Sequence, residues 1–248
     1  MSRAPWPYPR WVAHRGAGKL APENTLAAFR LGAAHGYRAF ECDVKLSADG
    51  VPFLLHDATL QRTSNGSGSA GQQGWPALSQ LDAGGWHSRA YAGEPLPTLA
   101  GIAAFIIANG FQLNIEIKPT PGQEQSTGRV VAEQAARLWA GQPVPPLLSS
   151  FRPDALAAAR QAAPALPRAL LLDSLPVGWQ DQALALGCEA VVTQHRLMDA
   201  GLLAQLRARQ WRALVYTVNE PADAQRLLAL GIDGLITDAV DRFSPATG

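Results

Sequence analysis

Cysteine is scarce in this chain: two in 248 residues, Cys42 and Cys188. They stand far apart, with no C-x-x-C pair and no zinc-ligand spacing. That excludes a disulfide scaffold or a structural zinc module and reads as a reduced, cytoplasmic protein. Net charge is nearly absent too, with 21 Lys and Arg against 20 Asp and Glu, a formal +1. The basic residues are scattered singly, so neither nucleic acid nor an anionic membrane has a patch to bind. Long apolar runs are missing. The longest, around Ile102 to Ala108, falls far short of the roughly 20 residues that a spanning helix needs. The opening stretch Met1 to Arg10 lacks the apolar segment of a secretory leader, so export is not expected.

What is present is a rhythm. From Gln112 onward, short β-like apolar runs alternate with amphipathic helical runs, the pattern of βα units on a parallel sheet. The expected strands are Gln112–Ile117, Leu147–Ser150, Arg168–Leu172, Ala190–Thr193, Ala213–Val218 and Gly234–Thr237. Helices are expected over Ser126–Ala140, Pro153–Ala162, Gly178–Leu186, Asp199–Arg209 and Pro221–Leu230. Pro221 suits a first helical turn, and Gly187 and Gly231 sit just past helix ends. Upstream, Trp11–Ala13 and Ala39–Lys45 read as strands joined by a helix over Thr25–His35. These complete the eight strands of a TIM-type (β/α)₈ barrel, and the chain length suits one such domain over 1–248.

One stretch breaks the rhythm. Asp49-Gly50 between two β runs signals a hairpin into Val51–Leu55,. Residues 58–98 then have little periodicity. So long a segment inside a compact domain is usually functional, and it is read here as an insertion over the barrel mouth. Trp75, Trp86 and Tyr91 within it either form its own small core or line a pocket.

The chemistry-bearing residues fall at strand ends, which in a barrel face the active-site mouth. His14-Arg15-Gly16 follows the first strand, pairing a proton carrier with an anion clamp. In Phe40-Glu41-Cys42-Asp43-Val44-Lys45, alternation puts Glu41, Asp43 and Lys45 on one face and Cys42 on the other. In Asn114-Ile115-Glu116-Ile117-Lys118-Pro119, the residues Asn114, Glu116 and Lys118 share a face in the same way. Glu41, Asp43 and Glu116 from neighbouring strands would repel one another unless a hard divalent cation lay between them, and oxygen ligands suit Mg²⁺ or Ca²⁺. The other reading of Glu116 and Lys118 is an internal ion pair. The hairpin returns His56-Asp57 to the mouth, where His14 and His56 form the kind of pair that acid–base cleavage of a phosphodiester uses. His35, His87 and His195 lack comparable neighbours.

Taken in order, these motifs resemble the glycerophosphodiester phosphodiesterase family, cytosolic bacterial type. The likeness also takes in Pro22-Glu23-Asn24-Thr25, Arg62-Thr63, Tyr216-Thr217-Val218-Asn219 and Gly231 to Asp238, and so covers nearly the whole chain. The resemblance implies a barrel with a small insertion after the second strand, and one divalent cation, Mg²⁺ or Ca²⁺, on Glu41, Asp43 and Glu116. It implies His14 and His56 as the acid–base pair and Arg15, supported by Lys118, as the phosphate holder. Tyr216 and Asn219 either contact substrate or, for Tyr216, pack at the rim. The implied reaction releases sn-glycerol 3-phosphate and an alcohol. The expected partner is that small diester, with no nucleic acid, no stable membrane association, and the chain acting as monomer or homodimer. A barrel acting on lysophospholipids or other phosphodiesters is the nearest alternative. A Schiff-base enzyme using Lys118 and a non-catalytic barrel are more distant ones.

Overall fold

The structure is a computed structural model and describes residues 5–245. Residues 1–4 of the opening stretch and 246–248 of the expected domain lie outside that range. The strands are β1 (Trp11–Ala13), β2 (Ala39–Leu46), β3 (Pro52–Leu54), β4 (Gln112–Ile117), β5 (Leu147–Ser150), β6 (Arg168–Leu172), β7 (Ala190–Gln194), β8 (Arg212–Tyr216) and β9 (Gly234–Thr237). The helices are α1 (Leu26–Ala34), α2 (Trp75–Leu78), α3 (Leu99–Ala108), α4 (Glu124–Leu138), α5 (Pro153–Ala162), α6 (Trp179–Ala185), α7 (Ala200–Ala208) and α8 (Pro221–Leu230). All strands but β3 pair in parallel, in the order β1-β9-β8-β7-β6-β5-β4-β2, and a β1–β2 pairing closes the ring. The fold is a TIM (β/α)₈ barrel. Strand β3 hangs antiparallel on β2 with Val44 opposite Leu54, the expected hairpin.

Period-two alternation sorts every strand. Phe40, Cys42 and Val44 join the apolar shell between barrel and helices. Val12, Ala39, Leu147, Leu171, Val192 and Ile236 fill the lumen. Below them Trp6 and Tyr8 plug the floor, where the Tyr8 hydroxyl donates to the Pro145 carbonyl at 2.9 Å. The lumen is therefore apolar toward the N-terminal ends of the strands and becomes polar only toward their C-terminal ends. Thr25 caps α1 by accepting from Ala28 N, and Asp199 caps α7 by accepting from Leu202 N at 2.7 Å, each satisfying a free N–H of a first turn.

Three details differ from the sequence reading. Helix α3 absorbs the apolar run around Ile102 to Ala108. Strand β8 ends at Tyr216, not Val218, because the chain turns there to bring Asn219 onto Asp238. In the insertion, Trp75 packs with Phe53, Leu60, Leu78 and Leu96 in a small core. Trp86, however, is exposed and Tyr91 packs on the main shell.

Candidate active site

The loop after β1 is built for close approach. Arg15 has φ 51° and Gly16 φ 98°. A Cβ on Gly16 would sit 2.8 Å from both Ala28 Cβ and Phe29 N, and one on Gly18 would sit 2.1 Å from the Asp238 carbonyl. Only glycine fits at either position. The strained Arg15 backbone directs its N–H to Glu41 Oε2 at 3.1 Å. Its guanidinium reaches Glu23 Oε1 at 2.8 Å and Asp43 Oδ2 at 3.2 Å.

Parallel register sets Asp43 directly beside Glu116, and Glu41 beside Asn114. Glu41, Asp43 and Glu116 are all buried, and one ligand oxygen from each lies within 4.8 Å of the others. Glu41 Oε1 and Asp43 Oδ1 have no hydrogen-bond partner although they are sealed from solvent. Two orphaned carboxylate oxygens in an all-oxygen cluster fit a hard divalent cation. Burial, then the charges of Asp43 and Glu116, push Glu41 well above the usual carboxylate range. Glu116 is raised by burial and by Asp43. Burial also works against the Asp43 carboxylate, but Arg15, Lys118 and His56 outweigh it and hold it low. Asn24 clamps Asp43 by donating to Oδ2 at 2.9 Å and accepting its N–H at 3.1 Å. Lys118 pairs with Glu116 at 2.7 Å and stands 3.7 Å from Asp43 Oδ1. Both expectations for Lys118, ion pair and cluster neighbour, thus coexist.

The histidines are oriented alike. His14 Nδ1 meets Asp238 Oδ1 at 2.6 Å, and His56 Nδ1 meets Asp57 Oδ1 at 2.7 Å. A carboxylate on Nδ1 fixes the tautomer and leaves Nε2 to accept a proton. His14 Nε2 lies 3.7 Å from Glu41 Oε2, so it borders the acid cluster. Burial lowers His56 below its ordinary value, with Arg15 and Lys118 adding to the effect against Asp43 and Asp57. Lys45 is fully buried, and its ammonium donates to the carbonyls of His56 and Lys118 at 3.2 and 3.3 Å. It is a strut between the hairpin and β4.

A cleft of about 710 Å³ opens from this centre, with His56, Glu116 and Lys118 at its base and Phe151, Asp173 and Tyr216 on its wall. Tyr216 thus faces the cleft. Asn219 instead holds Asp238: its Nδ2 donates to Oδ2 at 3.0 Å and its Oδ1 accepts the Asp238 N–H at 2.9 Å. The sequence reading gave no role to Asp238, Asp57, Asn24 or Lys45. Strand parity carried a signal for Asp238, which lies two residues beyond lumen-facing Ile236. Phe151, four residues beyond Leu147, and Asp173, two beyond Leu171, share that parity. Of the other histidines, His35 is exposed at the end of α1, His87 meets the Lys19 carbonyl at 3.0 Å, and His195 lies 3.6 Å from Asp223.

The sequence model of the Glycerophosphoryl diester phosphodiesterase family matches residues 14–242, spanning both histidines and Asp238. The chain belongs to this family. A glycerophosphodiester phosphodiesterase of Caldanaerobacter subterraneus subsp. tengcongensis is 31% identical over 231 residues, 92% of this chain and 93% of the relative. A phosphodiesterase of Oleispira antarctica, solved with the product sn-glycerol-3-phosphate, superposes with a TM-score of 0.89 at 32% identity, covering 97% of this chain and 98% of that one. A glycerophosphodiester phosphodiesterase of Agrobacterium tumefaciens superposes with a TM-score of 0.81 at 25% identity over 95% of this chain and 99% of that one. Among the described residues no helix is long and apolar enough to cross a membrane.

Proposed function

We propose that this chain, acting as one domain over 1–248, hydrolyses glycerophosphodiesters to sn-glycerol 3-phosphate and an alcohol in the cytoplasm. The observation that carries the reading is the convergence of two carboxylate-oriented histidines on a buried three-carboxylate cluster with Arg15 and Lys118 beside it. Glu41, Asp43 and Glu116 would hold one Mg²⁺ or Ca²⁺. When bound, such an ion neutralises phosphate charge and acidifies an oxygen nucleophile.

In the reaction a new P–O bond forms to water as the P–O bond to the departing alcohol breaks, or the glycerol 2-hydroxyl displaces the alcohol first and water then opens the resulting cyclic phosphate. One histidine Nε2 takes the proton of the attacking hydroxyl, and the other histidine gives its proton to the departing alkoxide. Asp238 and Asp57 hold the two rings by Nδ1, and Asn219 keeps Asp238 in place. Arg15 and Lys118 face the phosphoryl oxygens and stabilise the charge that builds there. Tyr216 borders whichever half of the diester lies along the cleft.

The test is release of glycerol 3-phosphate from glycerophosphocholine by metal-stripped protein, with Mg²⁺ or Ca²⁺ restored, beside His14→Ala. Metal-dependent release that the variant loses is the expected result. No release with either cation, or release that the variant leaves intact, would overturn the reading.

A second reading, action on lysophospholipids, draws on one observation. Leu175 and Val177 are exposed on the β6–α6 loop that leaves Asp173 at the cleft. Turnover of micellar lysophosphatidylcholine that falls in Val177→Ser while glycerophosphocholine turnover holds would favour it.

A further inference from the structure

The cleft is larger than the acid cluster needs, and its outer wall has a composition of its own. Phe151 and Tyr216 meet edge to face, with centroids 5.6 Å apart and planes at 90°. The Tyr216 hydroxyl donates to the Leu172 carbonyl at 3.3 Å, which fixes the ring against the end of β6 where Asp173 follows. Asp173 is close enough that its charge, after burial, helps raise the Tyr216 phenol.

The charges lining the cleft are nearly all paired. Lys118 is matched by Glu116 at 2.7 Å, Arg152 by Glu124 at 3.0 Å, and Asp57 by Arg62 at 2.6 Å. Lys45 is spanned by two carbonyls at the floor. The Asp173 carboxylate accepts only the hydroxyl of its neighbour Ser174, at 2.9 Å, and has no ion-pair partner among the described residues. Phe151 already lies 5.3 Å from one ammonium, that of Lys118, which leaves Tyr216 and the outer edge of the pair for another. An unpaired carboxylate beside aromatic rings is the chemistry that recognises an alkylammonium. A neutral polyol would gain little from the rings, and an anionic alcohol would be repelled by Asp173.

Resting on the phosphodiesterase reading above, we propose that Asp173, Tyr216 and Phe151 form a subsite for the alkylammonium group of the alcohol half of the diester. Preferred substrates are then diesters of amino-alcohols such as choline and ethanolamine. Glu116 and Lys118 at the base of the cleft set the phosphate end, and Asp173 on the wall sets the ammonium end.

The experiment titrates full-length, Mg²⁺-loaded protein by NMR with choline and with dimethylbutanol, its neutral carbon isostere. The expected result is choline binding at least about fivefold tighter than the isostere, with the difference gone in Asp173→Asn. The ratio of kcat/KM for glycerophosphocholine over glycerophosphoglycerol should fall by about the same factor in that variant. Equal affinities in the wild type, or a choline preference that survives Asp173→Asn, would overturn the subsite whatever the turnover. Absence of hydrolysis of either diester, with the Asp173-dependent choline preference intact, would count against the reaction and still support the subsite.

Discussion

The two histidines share a design and differ in their surroundings. Each has a carboxylate on Nδ1, but His56 borders the open cleft while His14 borders Glu41. His14→Ala and His56→Ala should each lower kcat by about 10²–10⁴-fold with circular dichroism unchanged; a loss under tenfold in either would remove that residue from the proton path. Asp238→Asn tests positioning. It keeps the shape but turns the acceptor on His14 into an amide, so kcat should drop at least about tenfold, more than KM changes. Burial makes the neutral ring of His56 the favoured form in the fold. Its NMR titration in metal-free protein should therefore centre below 6.5, and a midpoint at or above 6.5 would contradict the packing around it. The same sign applies to stability. The unfolded chain takes up this proton first, so the His56 contribution to folding declines as pH falls below 6.5.

At the scale of elements, Arg62 ties the insertion to the centre. Arg62 grips Asp57 at 2.6 Å and Glu23 at 2.7 Å, bridging the hairpin to the loop that carries Asn24. Arg62→Ala should loosen Asp57, and with it His56. About a tenfold fall in kcat is expected with little change in Tm, because an exposed ion pair adds little stability; an unchanged kcat would show that the hairpin alone holds His56. Gly16→Ala should instead cost about 1–3 kcal/mol of unfolding free energy by denaturant titration, since the added carbon meets the start of α1. The strands were legible in the sequence because they are short apolar runs set between helical patterns, and in β2 and β4 because charged positions recur every second residue. Helix α3 was not legible as a helix: Leu99–Ala108 is apolar on every side apart from Gly101, so no 3.6-residue stripe stands out,. The role of Asn219 was hidden for another reason. Its contact with Asp238 depends on how β8 and β9 end relative to each other, and no local pattern encodes that.

For the whole molecule, the acid cluster stores repulsion that a cation would relieve. Glu41 and Glu116 are raised in the fold above 4.5, so the native state holds their protons longer than the unfolded chain does. The contribution of Glu41 and Glu116 to the stability of the metal-free protein should then fall as pH rises above about 4.5,. Adding Mg²⁺ or Ca²⁺ near pH 7.5 should raise Tm, and Glu116→Gln should raise the metal-free Tm while abolishing that response. A Tm indifferent to both cations in the wild type would refute a bound-metal role for the cluster. Finally, His14 and Asp238 stand 224 positions apart in the chain, and their contact sits where β1 pairs with β9. The two halves of this dyad are therefore synthesised 224 residues apart. No fragment ending before Asp238 contains the pair, which forms only when the ring of strands shuts.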